Sequence, residues 1–239
     1  SWAYNYCKNY SKKKFLILEE YINGPQLSTE GVVYKGKYVH LCNFDRNYEM
    51  IKKYQPFIIE NGGSTPSKIG EKLQKQIIKI LSKVTKKLKL YNASIKGDLI
   101  KKKNKIFIIE IATRLSGGWL SSITIPNSTG VDIIEYIIKN SLKLEIKKND
   151  LIPKYKKKVI QRYLFPKVGK IKSIRFKKKS LLKNKDILSF KLFVKKGHNV
   201  EKIDSHASRI GHVIVRNSNI NRGVIFANKL LKNVEIEYY

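Results

Sequence analysis

Gly97-Asp98-Leu99-Ile100 and, a few residues on, Ile109-Glu110-Ile111-Ala112-Thr113-Arg114-Leu115-Ser116-Gly117-Gly118 are the stretches whose reading decides the fold. The apolar runs Ala93–Ile100 and Lys105–Ala112, joined by a lysine-rich turn, read as an antiparallel hairpin. With the turn centred on Asn104, Asp98 lies directly opposite Glu110. Side chains alternate faces along a strand, so Ala112 and Arg114 share the face of Glu110. Two carboxylates whose β-carbons are about 5 Å apart repel each other unless a cation neutralises them. A shared magnesium ion is the economical solution, being a hard cation that prefers carboxylates together with substrate phosphates. Arg114 then stands where it can hold a phosphate or carboxylate in two-pronged fashion. The plainer alternative is an exposed hairpin whose carboxylates are screened by Lys96 and by Lys101 to Lys103.

Outward from that hairpin, the apolar run Phe15 to Ile22 ends in Asn23-Gly24-Pro25 and predicts a buried strand closed by a turn. Ser28 to Tyr34 and Lys37 to Asn43, separated by Lys35-Gly36, read as a second hairpin. Pro56 to Glu60 reads as a strand broken by Asn61 to Ser64. Thr65-Pro66 then supplies the cap and first turn of a helix to about Leu90, with Ile69, Leu73, Ile77, Ile80, Leu81, Val84 and Leu88 at helical spacing. Downstream, a glycine-containing loop, Arg114 to Ser128, leads into a helix from Val131 to about Leu142. The charged, proline-containing stretch Lys147 to Lys158 suggests a division into units 1–150 and 151–239. Strands are expected at Lys158–Phe165, Ile171–Phe176, Ile187–Val194 and Ser208–Arg216, followed by a helix at Asn221–Leu231 and a strand at Val234–Tyr239. The alternation of strands with a few helices indicates an α+β chain.

With 239 residues, 42% of them hydrophobic, the chain can bury an ordinary core. No window approaches the roughly 18 apolar residues a membrane helix needs, and the expectation is a cytoplasmic protein with no membrane partner. Cys7 and Cys42 have no paired metal spacing and make no disulfide framework. The formal charge of +32 invites a nucleic-acid partner. However, the 50 basic residues comprise 43 Lys and only 7 Arg, whereas specific phosphate and base recognition favours guanidinium. The lysines are spread along the chain, and Ile, Asn and Tyr are abundant too, a pattern that codon bias of a low-GC genome produces. Solvated surface is the expected role of most lysines. The four histidines, His40, His198, His206 and His212, show no ligand spacing and receive no catalytic role.

The string from Glu110 to Gly118 resembles the ATP-grasp signature Glu-Ile-Asn-x-Arg-x-x-Gly-Gly. That resemblance implies magnesium bound by Asp98 and Glu110, with Arg114 on the transferred phosphate or acyl phosphate. Ala112 stands where the family often has an asparagine ligand, which leaves one metal or two an open question. Leu16 to Gln26, Leu-Ile-Leu-Glu-Glu-Tyr-Ile-Asn-Gly-Pro-Gln, is similar to the family's adenine hinge. It implies Glu19, Glu20 and Ile22 as hinge residues for ATP and Gln26 as the ribose contact, with glutamine in place of the usual acid. Without the resemblance, Glu19-Glu20 reads as a strand end. The segment from Asp45-Arg46 to Ser67, the Thr129-Gly130-Val131-Asp132 helix start and the tail from Gly197 onward also resemble carboxylate-amine ligases of this family.

The resemblance implies ATP-dependent activation of a small-molecule carboxylate as an acyl phosphate, attacked by an amine or similar nucleophile. Amino-acid ligases and carbamoyl-phosphate-synthase-like enzymes are equally open. The family's lysines and glycine-rich phosphate loop precede the hinge, and nothing ahead of Phe15 matches them. The expectation is therefore a missing N-terminal domain or partner chain, with little or no activity in the chain alone. A homodimer stays open. Two competing readings remain: a basic nucleic-acid-binding module, with nucleic acid the less favoured partner, and a nucleotide-binding remnant without turnover.

Overall fold

The computed structural model describes residues 2–13 and 15–239; Ser1 and Lys14, the last of the basic run 12–14, lie outside the described residues. Eight strands form one mixed-length sheet in the order β5-β4-β1-β2-β3-β6-β10-β8. Its first half is β1 (Gln26–Tyr34), β2 (Lys37–Arg46), β3 (Gly63–Thr65), β4 (Ala93–Lys102) and β5 (Lys105–Ala112). The second half is β6 (Val159–Leu164), β8 (Ile187–Leu192) and β10 (Gly211–Arg216). A small second sheet joins β11 (Val234–Tyr238), β7 (Gly169–Phe176) and β9 (Asn199–Val200). The α+β class expected from the alternation of elements is what the chain adopts.

Both expected hairpins form, around Lys35-Gly36 and around Lys103-Asn104. Lys35 and Gly36 both take positive φ, 48° and 75°, as a tight two-residue turn between right-twisted strands requires. Helix α3 (Glu71–Lys87) buries Leu73, Ile77 and Leu81 against Leu27, Leu99 and Ile106 of the sheet. At the other end of the β1–β2 hairpin, Val32 and Leu41 pack against Ile125, Ile133 and Tyr136. These belong to helices α4 (Ile125–Thr129) and α5 (Ile133–Ser141), the latter capped by the Asp132 carboxylate on the amides of Ile134 and Glu135. Helix α6 (Ile220–Lys232), capped by Asn219, covers β6 and β10 through Ala227 and Leu230. Two short helices complete the set, α1 (Trp2–Tyr10), which the sequence did not announce, and α2 (Ile51–Tyr54).

Three expectations are corrected. Phe15 to Ile22 is not a buried strand: it lies outside any helix or strand and is unpaired, with Leu18 fully exposed and Ile17 88% exposed. An apolar run becomes a strand only when a neighbour takes its backbone groups, and no described strand lies beside this one. Pro56 to Glu60 is likewise unpaired, and the strand forms instead at Gly63–Thr65, inside the predicted breaker. Gly63 fits there because the space a Cβ would need is held by the Asp45 carbonyl and the Phe44 ring. Finally, the long helix starts at Glu71, not Pro66, because Thr65 belongs to β3 and its hydroxyl donates to the Asn43 carbonyl. Asp45 receives the hydroxyl of Ser67 and the amide of Lys68 in the intervening turn.

The charged stretch 147–158 links α5 to β6, and the main sheet runs across it where β3 pairs with β6.

Candidate functional site

The register of the sheet builds the site. Ser28, Asp98 and Glu110 stand side by side in one cross-strand row of β1, β4 and β5. Glu30, Lys96 and Ala112 make the next row. Asp98 does face Glu110, but not for the reason a simple hairpin supplies. From the turn, Lys102 pairs with Lys105 and Leu99 with Ile108; a bulge between Asp98 and Leu99 then leaves Ile109 as the extra residue and brings Glu110 opposite Asp98. Without it, Asp98 would face Ile109, and a one-residue slip sends every later side chain to the other surface.

Around this row lies a cleft of about 360 Å³ lined by Ser28, Arg46, Glu60, Lys96, Asp98, Arg114, the Ser116–Gly118 loop, Tyr163, His206 and Arg209. Asp98 accepts from the Ser28 hydroxyl at 3.0 Å and from the Lys96 ammonium at 2.8 Å, and lies 3.4 Å from the Arg46 guanidinium. Burial alone would raise its pKa, but Lys96, Arg46 and Ser28 together outweigh burial and hold it below its ordinary value. Glu110 is 3.9 Å from Lys96 and 3.7 Å from Arg114. Arg46 pairs with Glu60 at 2.7 Å, and the backbone amide of Glu60 donates to His206 Nε2 at 3.2 Å. Arg209 bonds the Glu60 carbonyl and lies flat on the Tyr163 ring, 3.7 Å from its centroid. Burial first, and then the Arg209 charge, lower the basicity of His206.

Three contacts fix the glycine loop against this cleft. The Ser116 hydroxyl donates to the buried carboxyl of Glu30. The Gly118 carbonyl accepts from Gln161 Nε2 at 2.5 Å and from the Tyr163 hydroxyl at 3.3 Å. Trp119 stacks on Phe193 at 5.1 Å and lies 4.2 Å from the His212 ring. Gly118 sits at φ 64°, and a Cβ there would come within 2.7 Å of the Tyr163 hydroxyl, so glycine is demanded twice over.

Of the residues expected from sequence, Asp98, Glu110 and Arg114 come together. Gln26 opens β1 two residues before Ser28, whereas Glu19, Glu20 and Ile22 lie on the unpaired segment, with Glu19 and Glu20 exposed. Ser28, Lys96, Glu60, Arg209 and His206 were not anticipated as site residues. Ser28 and Lys96 were recoverable, since each lies an even number of residues from a site position on its strand; Glu60, His206 and Arg209 arrive through long-range folding. Lys96 screens the carboxylate pair as the plainer reading of the hairpin had it, while Lys101 to Lys103 lie at the turn. Among the described residues no group of three or more His, Cys, Asp and Glu side chains converges as a metal cage. Two facing carboxylates backed by a serine hydroxyl instead suit a hard divalent ion that also takes oxygens from a phosphate ligand.

A family model described as an ATP-grasp domain matches residues 1–123, and one described as L-amino acid ligase C-terminal domain 2 matches residues 162–239. No curated protein sequence matches the chain. Among solved structures, phosphoribosylglycinamide synthetase from Anaerococcus prevotii superposes with a TM-score of 0.80 at 20% identity, covering 99% of this chain and 59% of that one. L-amino acid ligase from Bacillus licheniformis follows with a TM-score of 0.77 at 17% identity, covering 92% of this chain and 53% of that one. The biotin carboxylase domain of Hydrogenobacter thermophilus 2-oxoglutarate carboxylase, solved with MgADP, has a TM-score of 0.70 at 19% identity over 98% of this chain and 52% of that one. The chain thus spans between about half and three-fifths of the length of these relatives.

Proposed function

Because this chain belongs to the ATP-grasp family, we propose that the protein containing it is an ATP- and magnesium-dependent ligase that activates a carboxylate as an acyl phosphate. The carboxylate oxygen attacks the γ-phosphorus of ATP and ADP leaves; an amine then displaces the phosphate, losing a proton as the new bond forms. The observation that carries this reading is the bulge-set row Ser28–Asp98–Glu110, whose Ser28 and Asp98 line a cleft together with Arg46, Lys96, Arg114 and Arg209. Asp98 and Glu110 would hold the magnesium ion, which would supply neutralisation of phosphate charge there. Arg114, half-exposed beside Glu110, would fork onto the transferred phosphoryl group. Fixed donors of this kind act by positioning and by stabilising charge that grows in the transition state.

Backbone groups at Glu19, Glu20 and Ile22 would meet the adenine edge, and Gln26 the ribose. Within the cleft, Arg46 and Arg209 stand 2.7 and 3.7 Å from Glu60, two guanidinium groups sharing one carboxylate, a lining that suits a substrate carboxylate. The match of residues 162–239 to the L-amino acid ligase domain favours an amino acid as the carboxylate. The further units these reactions need, including a phosphate-clamping domain and any second subunit, belong to the same proposal; the relatives extend well beyond the matched portion. Subdivision into 1–150 and 151–239 is part of it too. The test is Glu110→Gln in the protein that contains this chain, assayed for amino-acid-dependent phosphate release across a magnesium titration. The swap keeps shape but removes an anionic ligand, so turnover should fall by orders of magnitude with the fold intact. Turnover and magnesium dependence left as in the unmodified protein would refute the assignment.

A further inference from the structure

Lys96 is a cation where this site needs none beyond a metal. It is 7% exposed, it rises from β4 in the row beside the carboxylate pair, and its ammonium stands 2.8 Å from Asp98 and 3.9 Å from Glu110. Its cross-strand partner is Ala112, whose single methyl offers no ligand and leaves the space beside Glu110 to the lysine stem. Arg46 reaches the same Asp98 oxygen, Oδ2, at 3.4 Å. The two carboxylates are thereby neutralised by protein charges before any ion arrives, and a buried ammonium so close to both excludes a divalent ion from the position it holds.

We infer that Lys96 is a built-in counter-cation, taking the place of a second divalent ion between Asp98 and Glu110 so that the site works with a single one. This rests on the proposal that Asp98 and Glu110 are metal ligands. The Lys96–Ala112 pair acts as a unit: a lysine on one strand fills a position to which an alanine on the next contributes nothing. With Lys96 buried beside Asp98, the better-exposed Glu110 carboxylate is the one that would be open to the nucleotide's own metal.

The inference is tested on the 239-residue chain with Mn2+ alone as probe, by counting bound ions with electron paramagnetic resonance and by titration calorimetry. The unmodified chain and Lys96→Arg should bind one ion at most, weakly. Lys96→Met should gain at least tenfold in Mn2+ affinity or a second bound ion, and that gain should vanish when Glu110→Gln is added. Circular dichroism checks the fold, and Lys96→Gln replaces the methionine variant if the latter does not fold. Unchanged affinity and stoichiometry in the neutral variant, or a gain equally large in Lys96→Arg, would overturn the inference. If Glu110→Gln abolishes ion uptake by the unmodified chain while Lys96→Met changes nothing, only the counter-cation falls. If uptake ignores Glu110→Gln throughout, the metal-site reading falls with it.

Discussion

Replacing Glu30 with glutamine should make the protein more stable in mild alkali and flatten its response to pH. The Glu30 carboxyl is 1% exposed and takes a hydrogen bond from Ser116. Burial pushes its pKa from 4.5 up to about 8, and the Ser116 hydroxyl and the Lys96 charge offset only part of that. The folded protein therefore holds this proton more tightly than the unfolded chain does. Between 4.5 and about 8, unfolding releases the proton, and stability is lost as pH rises across that window; below 4.5 both states are protonated and nothing changes. At about 1.36 kcal/mol per pH unit, the gap sets a ceiling of about 5 kcal/mol. Glutamine stays neutral throughout and can still accept from Ser116. Urea unfolding at pH 5 and pH 8 reads the effect, with His206 and His212 common to both proteins and so cancelling in the comparison. The unmodified protein should lose stability between the two pH values by more than the variant, and the variant should be the more stable at pH 8. Parallel pH profiles would refute the buried, protonated carboxyl.

Arg114→Lys should lower turnover of the containing protein more than it alters ATP affinity, because a point charge cannot reproduce the two-pronged contact; equal effects on both, read by steady-state kinetics and calorimetry, would count against the role. Gly118→Ala should move the glycine loop and weaken nucleotide binding, since the added methyl meets the Tyr163 hydroxyl at 2.7 Å; a normal nucleotide titration would contradict the close approach. Leu81→Ala, at a fully buried position of α3, should cost about 2–5 kcal/mol in chemical denaturation without selectively affecting the site. Nucleic-acid binding should be weak, steeply salt-dependent and indifferent to sequence in filter binding; a sequence-selective complex at physiological salt would restore the runner-up reading.

Most of the scaffold was legible because local signals and tertiary demands agreed. Alternation around Lys35-Gly36 and Lys103-Asn104 located both hairpins, and the apolar spacing of Leu73, Ile77 and Leu81 located α3. Disagreement arose where pairing, not propensity, decides. Phe15 to Ile22 is as apolar as a core strand and yet unpaired, while Gly63–Thr65, poor in strand formers, is a strand because β2 and β6 flank it. The facing of Asp98 and Glu110 was predicted from a turn centred on Asn104, whereas the chain turns tighter and recovers the same pairing through the bulge at Ile109. A bulge leaves little trace in a single sequence. Glu60, His206 and Arg209 were illegible for a different reason: up to 149 residues separate partners whose meeting depends on the whole topology.

The shortness of β3 gives the main sheet a seam. Only two residue pairs tie β3 to β2, and three tie it to β6, whereas β1 and β2 share eight. What the seam lacks in backbone pairing it regains in charge: Arg46 from β2 grips Glu60, and Glu60 in turn holds Arg209, which sits just ahead of β10. An electrostatic staple thus spans the thinnest line of the fold, where the half of the sheet that carries Asp98 and Glu110 meets the half that carries Arg209. Arg46, Glu60 and Arg209 are all largely buried, so salt screens this staple far less than it would a surface pair. The seam is thus held by charges that ionic strength barely reaches, and removing Glu60 would leave two buried guanidinium groups facing each other across it.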